Sequence, residues 1–172
     1  RLLVANSVSK TYAMTGWRLG YAAGPQEVIK AMETIQSQST SNPNSVAQAA
    51  AIEALTGTQE PVGIMAKEFA KRRNYVVDRL RAIPGISCTL PEGAFYVFPR
   101  VSGCFGTKWQ DKTIASAMDF SLYLLEEAKV ALVAGEGFGS AEHVRISYAT
   151  SMENLGKGLA QMETALQRLS GS

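Results

Sequence analysis

The chain has 172 residues, of which 46% are hydrophobic and 19% charged, a composition typical of globular proteins. Seventeen basic and fifteen acidic residues leave a net charge of +2 without a basic cluster, which argues against nucleic-acid or membrane-surface binding. No segment approaches the roughly 18 consecutive apolar residues that a membrane span needs. The two cysteines, Cys88 and Cys104, are too far apart for a CxxC motif, so unpaired thiols and no metal site are expected. A small-molecule ligand is therefore favoured over a polymer.

Hydrophobic periodicity predicts alternating strands and helices along most of the chain. In chain order we predict strands at 2–5 and 17–23, helices at about 28–35, 46–55 and 61–83, strands at 86–90 and 94–98, a helix at 113–128, strands at 130–134 and 143–149, and a final helix after Ser151. The strands at 86–90 and 94–98 are expected to pair around the turn Pro91-Glu92-Gly93. The order after residue 84 is typical of helices packed on one sheet, whereas the first 57 residues predict no closed core.

The most informative residues surround Lys10, which follows the first predicted strand. A lysine that apolar neighbours partly desolvate is a usable amine nucleophile, as Schiff-base chemistry requires. The hydroxyls of Ser7 and Ser9 and the guanidinium of Arg18 would suit a phosphate group. From the residues alone, a solvated loop lysine and a surface arginine are the alternative interpretation.

Residues 7–21, SVSKTYAMTGWRLGY, resemble the pyridoxal-phosphate lysine signature of class I and II aminotransferases, and every position of that signature is permitted. The resemblance implies that Lys10 forms the Schiff base with pyridoxal 5'-phosphate and later moves the proton of the substrate Cα. It also implies that Ser7 and Arg18 hold the cofactor phosphate. The expected protein is thus a pyridoxal-phosphate-dependent aminotransferase of the aspartate aminotransferase superfamily.

Further motifs extend the resemblance over essentially the whole chain. Residues 41–43 (SNP) are similar to a loop at the dimer interface, residues 91–99 (PEGAFYVFP) to a strand pair, and residues 135–139 (GEGFG) to a glycine-rich loop, although Ala134 replaces a usual proline. Residues 144–149 (VRISYA) are similar to the strand whose arginine binds the substrate α-carboxylate, which implies this role for Arg145. Strand alternation agrees, because it separates Arg145 from the apolar face.

The resemblance also implies a domain organisation. The fold class is α/β, a partial fold-type-I pyridoxal-phosphate transferase corresponding to the C-terminal portion of the family. Residues 1–60 would be the end of the large cofactor-binding domain, residues 61–83 an interdomain helix, and residues 84–172 the small α/β (or α+β) domain. Such a portion lacks the aspartate that pairs with the pyridine nitrogen in the family, so we expect it to be inactive alone.

The substrate is left open by one departure from the family. Where aspartate aminotransferases carry an arginine that binds the distal carboxylate, this chain has Ser37. An aspartate-like donor and an aromatic or prephenate-type pair are both compatible with the sequence, with a 2-oxo acid as acceptor. We expect a cytoplasmic homodimer, an organellar location being the alternative. A related pyridoxal-phosphate lyase or synthase, and a non-catalytic aminotransferase-like ligand-binding module, are the competing hypotheses.

Overall fold

The computed structural model describes residues 2–170 and divides the chain into two compact units, the first ending at Met65 and the second beginning at Ala66. None of the helices described for residues 2–170 has both the length and the apolar character that crossing a membrane requires. The strands are β1 (Val4–Ser7), β2 (Gly20–Ala23), β3 (Tyr96–Val97), β4 (Lys108–Trp109), β5 (Lys112–Thr113), β6 (Val133–Ala134) and β7 (Val144–Ser147). The α-helices are α1 (Gln26–Ser39), α2 (Ser45–Thr56), α3 (Glu60–Arg81), α4 (Ala117–Ala128) and α5 (Met152–Ser170).

The first unit is built on an antiparallel pair formed by β1 and β2, in which Ser7 lies opposite Gly20. This confirms two short strands in this region, each three residues or less from its predicted start. Helix α2 begins after Asn44, whose side-chain oxygen accepts hydrogen bonds from two backbone N–H groups of the first turn. The core of this unit is small and consists of Val8, Met14, Leu19, Ala47 and Ala51.

Helix α1 contributes no buried residue to that core. Its apolar side chains Val28, Met32 and Ile35 recur at helical spacing, as the sequence predicts, yet all three are exposed. The first unit therefore leaves an apolar helix face uncovered, in agreement with the prediction that these residues close no complete core.

The second unit packs helices against a three-stranded antiparallel sheet with the strand order β3-β7-β6. Its core takes Val76 and Leu80 from α3, Phe120 from α4, Val144 from β7 and Met162 from α5, all of them at most 1% exposed. Burial of these apolar side chains is the main source of stability for the unit. Strand β7 is the central strand of the sheet, so its residues are fixed from both edges.

Both cysteines lie in this second core as free thiols. Burial raises the pKa of the Cys88 and Cys104 thiols above the ordinary value, although the positive charge of Arg81 partly opposes the shift at Cys88. Because the thiolate is the reactive form, neither cysteine is suited to act as a nucleophile. They serve as small apolar side chains.

The predicted hairpin of residues 86–90 and 94–98 is wrong. Residue Ser87 instead exchanges two backbone hydrogen bonds with Arg100, of 3.1 and 2.8 Å, as an isolated bridge. Residues Tyr96 and Val97 pair with β7. The two segments thus have different partners, and the chain between them forms a wide loop rather than a tight turn. A short hairpin does occur further on, where β4 pairs with β5 in a stretch that the sequence predicted to be irregular.

Candidate active site

The first group of candidate residues lies on the loop that joins β1 to β2, which we call the lysine loop (residues 8–19). Three apolar side chains, Val8, Met14 and Leu19, are each at most 9% exposed and pack with Ala47 and Ala51 of α2. They anchor the loop at its start, middle and end. The polar residues between these anchors are left at the surface, so the spacing of apolar residues decides which side chains a ligand can meet.

The ends of the lysine loop bring together the donors expected to hold a phosphate. The Ser7 hydroxyl lies 2.7 Å from the Ser9 hydroxyl and 3.2 Å from the Leu19 carbonyl, and it accepts a 3.0 Å hydrogen bond from the Ser9 N–H. Arg18 precedes β2 in the left-handed region (φ 52°), and its guanidinium donates to the Thr15 carbonyl at 2.9 Å. Because no aspartate or glutamate occurs from residue 7 to 20, the loop supplies hydroxyl and cationic donors without an acidic group of its own.

The side chain of Lys10 is exposed. In this chain the exposure agrees with the alternative interpretation of a solvated loop lysine, because the apolar side chains Val8, Met14 and Leu19 turn inward onto α2. The Lys10 carbonyl accepts a 3.1 Å hydrogen bond from the N–H of Ala13, which closes the turn that carries the lysine. Close packing at the base of the loop explains Gly20, where a Cβ would lie 2.9 Å from the Asn6 carbonyl oxygen.

The second candidate, Arg145, lies on β7 in the other unit, where its backbone pairs with Val133 of β6. The strand alternates as predicted, since Val144 and Tyr148 are buried in the core and Arg145 points to the opposite face. There the guanidinium carbon lies 4.5 Å from the ring centre of Tyr96 and 4.6 Å from that of Phe138. Among residues 2–170, no aspartate or glutamate forms an ion pair with Arg145.

A glycine-rich loop (residues 135–140) carries Phe138 to Arg145. The Gly135 N–H donates to the His143 carbonyl at 2.9 Å, and Gly139 takes a positive φ of 80°. The Ser140 hydroxyl lies 2.7 Å from Nδ1 of His143, whose ring stacks on Phe98 at 5.0 Å. These contacts give His143 a structural role in the loop.

Substituting Gly135 tests the packing of this loop. A Cβ at Gly135 would lie 2.3 Å from the carbonyl oxygens of both Ser140 and His143, and neither backbone group can move aside freely. We expect Gly135→Ala to lower the free energy of unfolding by about 1–3 kcal/mol, measured by urea denaturation. Gly137→Ala is the matched control, because nothing lies within 4 Å of its Cβ position, and a change within about 0.5 kcal/mol is expected. Equal losses in the two variants would contradict this interpretation.

The contacts of Tyr96 and Phe138 with Arg145 escaped the sequence analysis. In the sequence both residues lie within motifs, Tyr96 in residues 91–99 and Phe138 in residues 135–139, and neither motif indicates a contact with Arg145. The contact with Tyr96 follows from the pairing of Tyr96 with Ser147, two residues along β7 from Arg145. That register is set by tertiary packing, and no local pattern in the sequence reports it.

Short strands and helices alternate along both units, which is a mixed α/β architecture. The model of the family "Aminotransferase class I and II" matches residues 1–162. The chain belongs to that family. Pyridoxal 5'-phosphate is the cofactor of these enzymes.

Individual relatives agree with the family assignment. The chain is 50% identical to an aspartate aminotransferase of Rhizobium meliloti over 174 residues, which cover 99% of this chain and 42% of that protein. It is 51% identical to an aspartate/prephenate aminotransferase of Cereibacter sphaeroides, over 99% of this chain and 43% of that protein. The crystal structure of an aspartate aminotransferase from Rhizobium meliloti matches the fold with a TM-score of 0.94 at 49% identity, over 97% of this chain and 42% of the other. The fold is thus part of a fold-type-I aminotransferase, and the chain spans about two fifths of the length of these relatives.

Proposed function

We propose that the protein is a pyridoxal-phosphate-dependent aminotransferase that moves an amino group between an amino acid and a 2-oxo acid. The observation that carries the proposal is the lysine loop, which exposes Lys10 and Arg18 and begins directly after Ser7 of β1. In this proposal residues 1–60 are the end of the cofactor-binding domain, residues 61–83 are an interdomain helix, and residues 84–172 form the small domain. The chain would be the C-terminal portion of such an enzyme and inactive alone.

The lysine loop fits the cofactor by the chemistry of its donors. Ser7 and Arg18 would bind the phosphate, because a hydroxyl and a planar guanidinium both donate to phosphate oxygens and no acidic residue of the loop competes. Lys10 carries the only primary amine of the loop, the group that combines with an aldehyde. The bound cofactor supplies the electron sink that stabilises charge at the substrate Cα.

Lys10 has a second task in the proposed reaction, which is to take the proton from the substrate Cα and return it elsewhere. The side chain of Lys10 is exposed, and an amine within reach of the Cα proton can act as the general base. Arg145 would hold the substrate by its α-carboxylate. Its guanidinium is half-buried, and no carboxylate described for residues 2–170 forms an ion pair with it, so the two-pronged grip is kept for a ligand.

Aspartate and prephenate-type substrates are the two classes that the relatives' names favour. Ser37, which stands in place of the distal-carboxylate arginine, lies on α1 and donates its hydroxyl to the Thr34 carbonyl at 2.8 Å. The Ser37 hydroxyl offers no positive charge to a second carboxylate, so another residue would have to bind the distal carboxylate of a dicarboxylate substrate. A cytoplasmic homodimer completes the proposal, and the two unpaired thiols suit a reducing compartment.

An assay of the full-length protein with added pyridoxal phosphate tests the function. L-aspartate, L-glutamate and L-phenylalanine would each be offered with a 2-oxo acid acceptor, and prephenate would be offered with L-aspartate as donor. We expect transfer from L-aspartate, detected as its 2-oxo acid, with turnover in the ordinary enzymatic range of about 1–1,000 per second. Tight cofactor binding without transfer from any donor would instead support a non-catalytic binding module.

A further inference from the structure

The geometry points to Tyr96 and Phe138 as positioning residues that hold Arg145 in place for a substrate carboxylate. We call them the aromatic pair. The inference rests on the proposed function, because it concerns the same carboxylate site. The orientation of Arg145 is then explained by the contact of its guanidinium with two rings rather than with an acidic partner.

Both rings of the aromatic pair lie within contact distance of the Arg145 guanidinium. The Arg145 guanidinium carbon is 4.5 Å from the centre of the Tyr96 ring and 4.6 Å from the centre of the Phe138 ring, both within the range of a cation–π interaction. Both rings approach with their π-systems, so they engage the charge without accepting the guanidinium N–H groups as carboxylates would. Neither ring places a carboxylate oxygen on the guanidinium N–H groups, which are the donors that a substrate carboxylate needs.

Among residues 2–170, Arg145 has no acidic partner in an ion pair. An aspartate or glutamate beside Arg145 would hold the guanidinium as well, but it would compete with the substrate for the same donors. Within residues 2–170 the acidic side chains that form ion pairs do so with other cations, and the one nearest in sequence, Glu142, pairs with Arg100. Rings can thus fix the arginine without occupying its binding edge.

The two rings of the aromatic pair are each held in place by other contacts. Tyr96 lies on β3 and is paired with Ser147 of β7. Phe138 lies on the glycine-rich loop, which is held to α4 by a 3.2 Å hydrogen bond from the Met118 N–H to the Glu136 carboxylate. The Phe98 ring supports Phe138 at 6.1 Å in an edge-to-face contact. The two rings therefore arise from separate elements, each fixed by its own contacts.

Kinetics of the full-length enzyme provide the main test. We expect Phe138→Leu to raise the KM for L-aspartate about three- to thirty-fold while kcat changes less than about twofold, since the ring helps to present Arg145 and takes no part in proton transfer. Phe138→Tyr keeps the ring and should keep the original KM. Phe105→Leu is the matched control, because Phe105 packs against the core of the same unit and forms no ring contact with Arg145, Tyr96 or Phe138 among residues 2–170, so its KM should stay unchanged.

Binding of maleate, a dicarboxylate that cannot donate an amino group, tests the carboxylate role of Arg145 and the role of the aromatic pair separately. We expect Phe138→Leu to weaken maleate binding, measured by calorimetry, about three- to thirty-fold in the original protein and not at all in an Arg145→Gln background. An unchanged affinity in Arg145→Gln itself would overturn the proposed carboxylate role of Arg145. A loss in Arg145→Gln with no loss in Phe138→Leu, or an equal loss in Phe105→Leu, would overturn the role of the aromatic pair alone.

Discussion

Replacing Lys10 with alanine is expected to lower transamination by the full-length protein at least about a thousandfold. General acid–base groups contribute roughly 10²- to 10⁴-fold to a rate, and this variant also removes the amine that would combine with the cofactor aldehyde. Cofactor binding should weaken much less, because Ser7 and Arg18 still supply donors for the phosphate. Absorbance above roughly 400 nm, which is typical of the lysine-bound cofactor, should be lost together with the activity.

Chemical trapping makes this expectation specific to one residue. Borohydride treatment of the original protein should fix the cofactor to the peptide that contains Lys10, as read by mass spectrometry, and should fix none in Lys10→Ala. Lys30→Ala is the matched control, since Lys30 is an exposed lysine of α1 in the same unit, and its activity and labelling should be unchanged. Labelling of a different lysine in the original protein would contradict the assignment.

The local sequence was enough to predict the lysine loop. Small hydroxyl residues and Arg18 occur within one continuous stretch, so the motif and the two flanking strands could be predicted without long-range information. Exposure of Lys10 could not be predicted, because it depends on Val8, Met14 and Leu19 packing onto α2, which is remote in sequence. A pattern of apolar neighbours does not say which way each of them turns.

The second unit shows the same division between local and long-range information. Alternation along β7 correctly predicted that Arg145 lies opposite the buried face, because strand periodicity is a local property. The hairpin predicted around Pro91 failed because strand partners are chosen by tertiary packing, and here Ser87 pairs with Arg100 while Tyr96 pairs with Ser147. The contact of Arg145 with Tyr96 follows from that pairing, whereas its contact with Phe138 depends on the path of the glycine-rich loop.

Replacing Arg145 with glutamine is expected to lower kcat/KM for L-aspartate about a hundred- to ten-thousand-fold, mainly through KM. The variant removes two charge-assisted hydrogen bonds to the substrate carboxylate, each worth about 1.5–3 kcal/mol, and about 1.4 kcal/mol corresponds to one tenfold step. The kcat/KM of Arg145→Lys should lie between that of the original enzyme and that of Arg145→Gln, because lysine keeps the positive charge but loses the planar fork that matches a carboxylate. Steady-state kinetics with varied L-aspartate measure each value.

Arg100→Gln is the control for Arg145→Gln, because Arg100 is a neighbouring surface arginine whose guanidinium already pairs with Glu142 at 3.0 Å. An exposed ion pair of this kind contributes roughly 0–1 kcal/mol to stability, so neither stability nor KM should change appreciably. Arg145 has two rings and no acidic partner within residues 2–170, which leaves its charge for a ligand. If both variants raised KM equally, a general effect of positive charge would explain the result, and the specific grip of Arg145 on the carboxylate would be refuted.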